Sequence, residues 1–348
     1  NAGLSLDEVN ARYAPERISK LGSNENPHGP SPKLRQALAA MLDQVHLYPD
    51  STGGRLRQAI AGVIGLANAD RIVLGNGSED LISVICRTVL RPGDRVVTLY
   101  PSFPLHEDYA TTQGAIVDRV GLTDDLGIDL DGLVSAVGRP SRLVMFANPM
   151  NPSGNWLDAP ALQTVIDAAH PQSLLVIDEA YLEYAAGDDY PDTLAMLETS
   201  GRPWVILRTF SKAYGLAGLR IGYAIASDPA LADVMNRVRT PFNANALAQR
   251  AAVIAIGDQE HVRHVVAETL SERARLRAVL QSRGYRIAPS KCNFLFVDTG
   301  RIGTEVAERL LRQGVIIKPW KQPGYERFIR VSIGLPVEND HFLDSLED

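Results

Sequence analysis

The segment Arg208-Thr-Phe-Ser-Lys-Ala-Tyr-Gly-Leu-Ala-Gly-Leu-Arg220 sets one lysine, Lys212, among hydroxyls and glycines directly after an apolar run. Ahead of it, Trp204-Val-Ile-Leu207 has the β-branched content of a short buried strand. Behind it, Gly215, Gly218 and Gly222 permit close approach of backbone. A lysine amine condenses with aldehydes, and Thr209, Ser211 and Arg220 are the donors needed to hold a phosphate beside it. Together these residues point to pyridoxal 5'-phosphate (PLP), an aldehyde with a phosphate arm.

Upstream stretches add compatible chemistry. In Val73-Leu-Gly-Asn-Gly-Ser-Glu-Asp80 a glycine turn delivers Gly77, Ser78 and Glu79 to the start of an amphipathic helix. Free backbone N–H groups and the positive end of the helix dipole bind phosphate there, and Ser78 equally suits an ordinary N-cap. Phe103 lies just past the strand Arg95–Tyr100, where open α/β sheets bind ligands; it is placed to stack on a pyridine ring or to pack in the core. Ala147-Asn-Pro-Met-Asn-Pro-Ser-Gly154 is a rigid loop with exposed amides. The apolar run Leu174–Ile177 ends in Asp178-Glu-Ala-Tyr181, and a carboxylate there asks for a cationic partner such as a protonated pyridine nitrogen. Tyr48, in Tyr48-Pro-Asp-Ser-Thr-Gly-Gly54, either packs on its own fold or sends its hydroxyl to a phosphate.

The elements that must position these residues alternate up to about residue 226. Helix patterns at Ser31–Leu42, Arg55–Ile64 and Leu81–Leu90 interleave with strand patterns at Arg95–Tyr100, Arg142–Phe146 and Leu174–Ile177. This alternation predicts an α/β fold with a mainly parallel sheet between helices. Beyond it the pattern predicts helices at Asp228–Arg239, Gln259–Arg283 and Ile302–Gln313, strands at Tyr285–Ala288, Asn293–Val297, Val315–Lys318 and Phe328–Ile333, and a closing helix from Pro336. The expected division is an arm and loop over residues 1–30, a large domain over 31–240 and a smaller α+β domain over 241–348.

Bulk properties narrow the classes. The 348 residues, 45% hydrophobic, suffice for one large or two moderate cores. A formal charge of -6 gives no long-range attraction to nucleic acid or to an anionic membrane. Cys86 and Cys292 sit in apolar contexts without metal-ligand spacing, so they read as buried thiols of a cytoplasmic protein. No apolar run has membrane-spanning length and no charged-then-apolar leader opens the chain; its first residue, Asn1, suggests that an initial segment is missing.

Asn151-Pro-Ser-Gly154, Asp178-Glu-Ala-Tyr181, Ser211-Lys212 and Arg220 in this order and spacing resemble the fold-type I, class I/II PLP-dependent aminotransferases over essentially the whole chain. Within them, Ser23-Asn-Glu-Asn-Pro27, Tyr48-Pro-Asp50 and the Lys212 segment are most similar to the histidinol-phosphate aminotransferases. The resemblance implies a seven-stranded, mainly parallel sheet in the large domain. It implies that Lys212 holds PLP and then acts as general base, that Asp178 keeps the pyridine nitrogen protonated, and that Asn151 and Tyr181 bond the ring's phenolic oxygen while Phe103 stacks on its face. The resemblance further implies that Gly77, Ser78, Glu79, Thr209, Ser211 and Arg220 bind the cofactor phosphate, with Tyr48 reaching it from the neighbouring subunit of a homodimer with shared sites. It implies likewise that Arg330 binds the substrate's carboxylate or phosphate, with Lys318, Asn24 and Tyr48 also at the substrate.

The implied reaction is transamination of L-histidinol phosphate with 2-oxoglutarate to imidazole acetol phosphate and L-glutamate. One departure bears on it: Lys318 stands where many of these enzymes carry a second arginine, so charge is kept and bidentate geometry is not. Trp320 beside it suits an aromatic or an imidazole ring. An aromatic amino-acid aminotransferase and a threonine-phosphate decarboxylase are therefore the alternatives within the enzymes. A PLP-sensing transcriptional regulator needs a basic DNA-binding segment, and none is visible.

Overall fold

A computed structural model describes residues 5–187 and 189–347; residues 1–4 of the expected arm and position 348 of the expected C-terminal domain lie outside them. The apolar runs assemble into a seven-stranded sheet whose spatial order is Ile72–Gly75, Gly222–Ala226, Trp204–Thr209, Leu174–Asp178, Leu143–Ala147, Arg95–Leu99 and Ile116–Val120. Gly222–Ala226 runs against its two neighbours, and the other pairings are parallel. Every residue of Leu143–Ala147 and Leu174–Asp178 is buried, which is why these strands read as continuous apolar runs. Their side chains alternate between two cores. Val144, Phe146, Leu175 and Ile177 face a cluster with the helices Pro32–Met41, Gly54–Ile64 and Ala159–Ala168. Leu143, Met145, Leu174 and Val176 face a second one with Ser78–Val89 and Pro229–Val238.

A separate antiparallel sheet has the order Lys318–Pro319, Phe328–Ser332, Phe294–Asp298 and Arg286–Ile287. Its core takes Val306 and Leu310 from the helix Gly303–Arg312 and Phe342 and Leu346 from Pro336–Glu347. The helix Gln259–Ser282 joins the two units, with Val262 in the large core and Leu276 and Leu280 in the small one.

One expectation needs correction. The strand expected over Val315–Lys318 is two strands: Val315–Ile316 pairs in parallel with Ser19–Lys20, whereas Lys318–Pro319 pairs with Ile329 and Arg330. Pro319 has no N–H to donate, which suits it to the edge position that it occupies. A helix that the sequence reading did not foresee, Ala246–Gly257, buries Ala248, Ala251, Ala252 and Ala255 in the large core. A stripe of alanines is small enough to escape an apolar-periodicity reading. The arm packs Val9 on Leu311 and Ile316 of the C-terminal unit.

The loop Ser23–Pro30 is sewn to the Lys212 segment. Asn26 Nδ2 donates to the Ala213 carbonyl at 2.9 Å. Gly215 sits at φ +69°, where an added Cβ would lie 2.5 Å from the Gly29 carbonyl oxygen. Gly215→Ala therefore meets both a left-handed backbone and a fixed obstacle, and it should destabilise the protein by about 2 kcal/mol or more. Urea titration monitored by circular dichroism checks this; an unchanged midpoint contradicts the packing.

Candidate active site

Six strands of the large sheet point one way, and the loops that leave their C-terminal ends meet at one edge. Asp178 is the last residue of Leu174–Asp178 and only 4% exposed. The His106 ring nitrogen Nε2 lies 3.1 Å from its Oδ2, and the Ala180 N–H donates to its Oδ1 at 3.1 Å. His106 was missed by the sequence reading. Its position three residues after Phe103 is the signal, because both then lie on one side of the first turn of Pro104–Thr112. Phe103 meets the His106 ring edge-on at 5.6 Å and lines a cleft with Ala147 and Asn151, while its other contacts are with the core.

A second group gathers at the start of the helix Ser78–Val89. Gly77 precedes it at φ +79° with no side-chain cap, so the first backbone N–H groups remain available to an anion. A Cβ on Gly77 would lie 2.4 Å from Arg220 Nη2, so the guanidinium sits directly against the turn. Arg220 also donates to Ser211 Oγ at 3.4 Å, and the Thr209 hydroxyl donates to the same oxygen at 3.0 Å. Glu79 approaches Arg220 at 3.8 Å and accepts from the Tyr109 hydroxyl at 3.3 Å, so its side chain braces the arginine while its backbone belongs to the helix start.

The third group joins the two units. Asn24 Nδ2 donates to the Tyr181 hydroxyl at 2.9 Å, and the Ser332 hydroxyl donates to Asn24 Oδ1 at 2.8 Å. Ser332 was not foreseen, although it lies two residues after Arg330 and hence on the same strand face. Arg330 is 7% exposed and donates from Nη1 to Asn151 Oδ1 at 2.6 Å and from Nη2 to the Gly22 carbonyl at 2.8 Å. Its Nε has no hydrogen-bond partner among the described residues. Lys318 is its direct cross-strand neighbour, and the Trp320 ring lies 5.9 Å from the guanidinium. Burial lowers the pKa of Lys318, and the Arg330 charge lowers it further.

Lys212 stands between these groups. Its Nζ donates to the Ser23 carbonyl at 3.1 Å and lies 5.8 Å from the centre of the Tyr181 ring. Burial, followed by repulsion from Arg330, lowers its pKa to about 8. The donor set fits PLP: an anion cradle, a buried carboxylate for the ring nitrogen, and an amine of reduced basicity for the aldehyde. Tyr181 and Asn151 accept from Asn24 and Arg330, which leaves the tyrosine O–H and the Asn151 N–H groups to donate to a phenolic oxygen. Tyr48 is not brought to this edge. Its ring is 83% exposed and stacks at 4.7 Å on Phe242.

The family described as aminotransferase class I and II matches residues 16–346. The chain belongs to the class I and II aminotransferases. It is 57% identical over 348 residues to histidinol-phosphate aminotransferase 3 of Rhizobium meliloti, covering 100% of this aminotransferase and 94% of that relative. It is 42% identical to histidinol-phosphate aminotransferase 2 of Pseudomonas aeruginosa, covering 99% and 93%. Among solved structures, the histidinol-phosphate aminotransferase of Sinorhizobium meliloti in complex with pyridoxal-5'-phosphate superposes with a TM-score of 0.90 at 31% identity, over 99% and 93% of the two chains. The histidinol-phosphate aminotransferase of Clostridium acetobutylicum gives a TM-score of 0.85 at 25% identity, over 95% and 98%.

The part-buried Lys212 amine and the buried Arg330 guanidinium repel one another. In cofactor-free aminotransferase, reductive methylation of Lys212, followed by peptide mass spectrometry, should become half-maximal near pH 8. Arg330→Met removes the larger of the two cationic repulsions, so the amine stays protonated to higher pH and methylation at pH 8 slows. An unchanged profile contradicts the coupling.

Proposed function

We propose that this aminotransferase uses PLP to exchange the amine of L-histidinol phosphate with 2-oxoglutarate, giving imidazole acetol phosphate and L-glutamate. The observation that carries the reading is Arg330: a buried guanidinium on neutral partners, with one N–H unsatisfied and a second cation, Lys318, across the strand. Such a site is costly to bury and is offset by an anionic ligand. Relatives of the same name over nearly full length support the same substrate.

PLP, when bound, supplies an aldehyde that condenses with amines and a pyridine ring that takes up electrons released at the substrate's Cα. The chain's residues do the rest. Arg220, Ser211, Thr209 and the N–H groups that begin Ser78–Val89 would hold its phosphate; Asp178 would hold its ring nitrogen, and Tyr181 and Asn151 its phenolic oxygen. Phe103, which lines the cleft, would cover one face of the ring. Lys212 Nζ would hold the aldehyde carbon and, when free, would serve as the base toward the proton at the substrate's Cα, a role suited to an amine whose pKa burial and the Arg330 charge lower. Arg330, Lys318 and Asn24 receive the anionic end of each substrate in turn.

Trp320 favours the phosphate substrate over an aromatic amino acid. It is only 4% exposed and packs edge-on to Phe296 at 6.0 Å, so it is committed to the protein's own core. The assembly in this reading is a homodimer. Leu42, Val45, Leu47, Tyr48 and Phe242 are all more than 40% exposed, and a second copy covering them brings Tyr48 to its neighbour's phosphate cradle. Two buried thiols, Cys86 and Cys292, agree with a cytoplasmic location, and no helix among the described residues is long and apolar enough to cross a membrane.

The PLP-loaded protein should convert histidinol phosphate and 2-oxoglutarate to equal amounts of imidazole acetol phosphate and glutamate without releasing CO2. Lys212→Ala should lower turnover by at least 10⁴-fold, on the order seen when a residue acting as both nucleophile and base is lost, with the fold intact by circular dichroism. Stoichiometric CO2 instead of glutamate, or full activity in Lys212→Ala, contradicts the assignment.

A further inference from the structure

Just past the edge strand Lys318–Pro319, one side-chain oxygen joins the two units. Gln322 Oε1 accepts from the Ser102 backbone N–H at 3.0 Å and from the Trp320 indole N–H at 2.9 Å. Ser102 immediately precedes Phe103, and His106, which braces Asp178, follows one turn later. Trp320 lies just beyond Lys318. The oxygen therefore ties the loop that carries the cofactor-facing residues to the edge strand that carries the anion-facing ones.

The surroundings stiffen both ends. The Tyr100 hydroxyl donates to the Pro323 carbonyl at 2.8 Å, and its ring meets Tyr325 edge-on at 5.9 Å. On the other side, Ser102 Oγ donates to Glu107 Oε1 at 2.9 Å. Arg119 pairs with the other oxygen of that buried carboxylate and stacks over Tyr100 at 5.1 Å. Ser102 is thus gripped through its backbone by Gln322 and through its hydroxyl by Glu107.

We propose that Gln322 is a positioning residue for the transamination, fixing the span between the reacting end and the anionic end of each substrate. The inference rests on the proposed use of Arg330 and Lys318 as the anion site. Because the amino donor and the keto acid use this site in turn, loosening the tie weakens both by a similar factor. Without it the binding energy of the substrate must organise the two loops, so KM rises and kcat changes less.

The test compares PLP-loaded wild type with Gln322→Leu, which keeps bulk and loses the acceptor, and with Gln322→Glu, which keeps an acceptor for both N–H groups. Gln322→Leu should raise KM for histidinol phosphate and for 2-oxoglutarate roughly tenfold, with kcat within about threefold, and Gln322→Glu should restore most of the loss. Hydrogen exchange at the Ser102 amide supplies a readout independent of activity: faster in Gln322→Leu and near wild type in Gln322→Glu. Tyr100→Phe, which removes only the bond to Pro323, should raise both KM values by a smaller factor, and it carries the test should Gln322→Leu fail to fold. Unchanged KM values alongside faster Ser102 exchange overturn the proposal, as does a loss that Gln322→Glu does not restore. A wild type that does not turn over histidinol phosphate sinks the substrate reading instead, and the 2-oxoglutarate and glutamate half-reaction and the amide exchange still decide the role of Gln322.

Discussion

A buried arginine and a part-buried lysine, neither in an ion pair among the described residues, are the constraint on which the site depends. Arg330 is held by an amide oxygen and a carbonyl, and Lys212 by a carbonyl. Taking a charge out of water costs several kcal/mol even after relaxation, and neutral acceptors recover only part of that. The protein bears this strain where both units contribute. The strand Phe328–Ser332 brings Arg330, the loop after Leu143–Ala147 brings Asn151, and the N-terminal loop brings Gly22, Ser23 and Asn24. In the proposed reading an anionic substrate relieves it, and repulsion from Arg330 adds to burial in lowering the basicity of the Lys212 amine.

The parallel sheet explains how so many polar groups share one edge without a polar core. Strands buried on both faces leave polar groups only at their ends, and six of seven deliver those ends to the same side. Asp178 is the sharpest case: four apolar residues precede it, and the chain turns immediately after it. The opposite run of Gly222–Ala226 places Arg220, just ahead of that strand, at the same edge.

What was legible in the sequence was local. Lys212, Ser211 and Arg220 lie within one segment, Asp178 ends a recognisable strand, and Gly77 and Ser78 open a recognisable helix, so composition and spacing carried them. Contacts across the chain were not legible in that way. Ser332 meets Asn24 across 308 residues, and Gln322 meets Ser102 across 220; nothing in either neighbourhood announces the partner. The helix Ala246–Gly257 was hidden because alanine signals helix by propensity and not by an apolar stripe. The strand Ile116–Val120 was hidden because, at a sheet edge, Asp118 and Arg119 interrupt the apolar run.

The claim that Arg330 is kept buried for an anion is tested most directly by the melting temperature of PLP-loaded protein in inorganic phosphate against sodium chloride of equal ionic strength. A ligand at a hundred times its Kd adds about 2.7 kcal/mol to the folded state, enough to raise the transition by several degrees. The account predicts that rise in the wild type and its disappearance in Arg330→Met. An equal rise in both proteins would contradict it, because the anion would then be bound elsewhere.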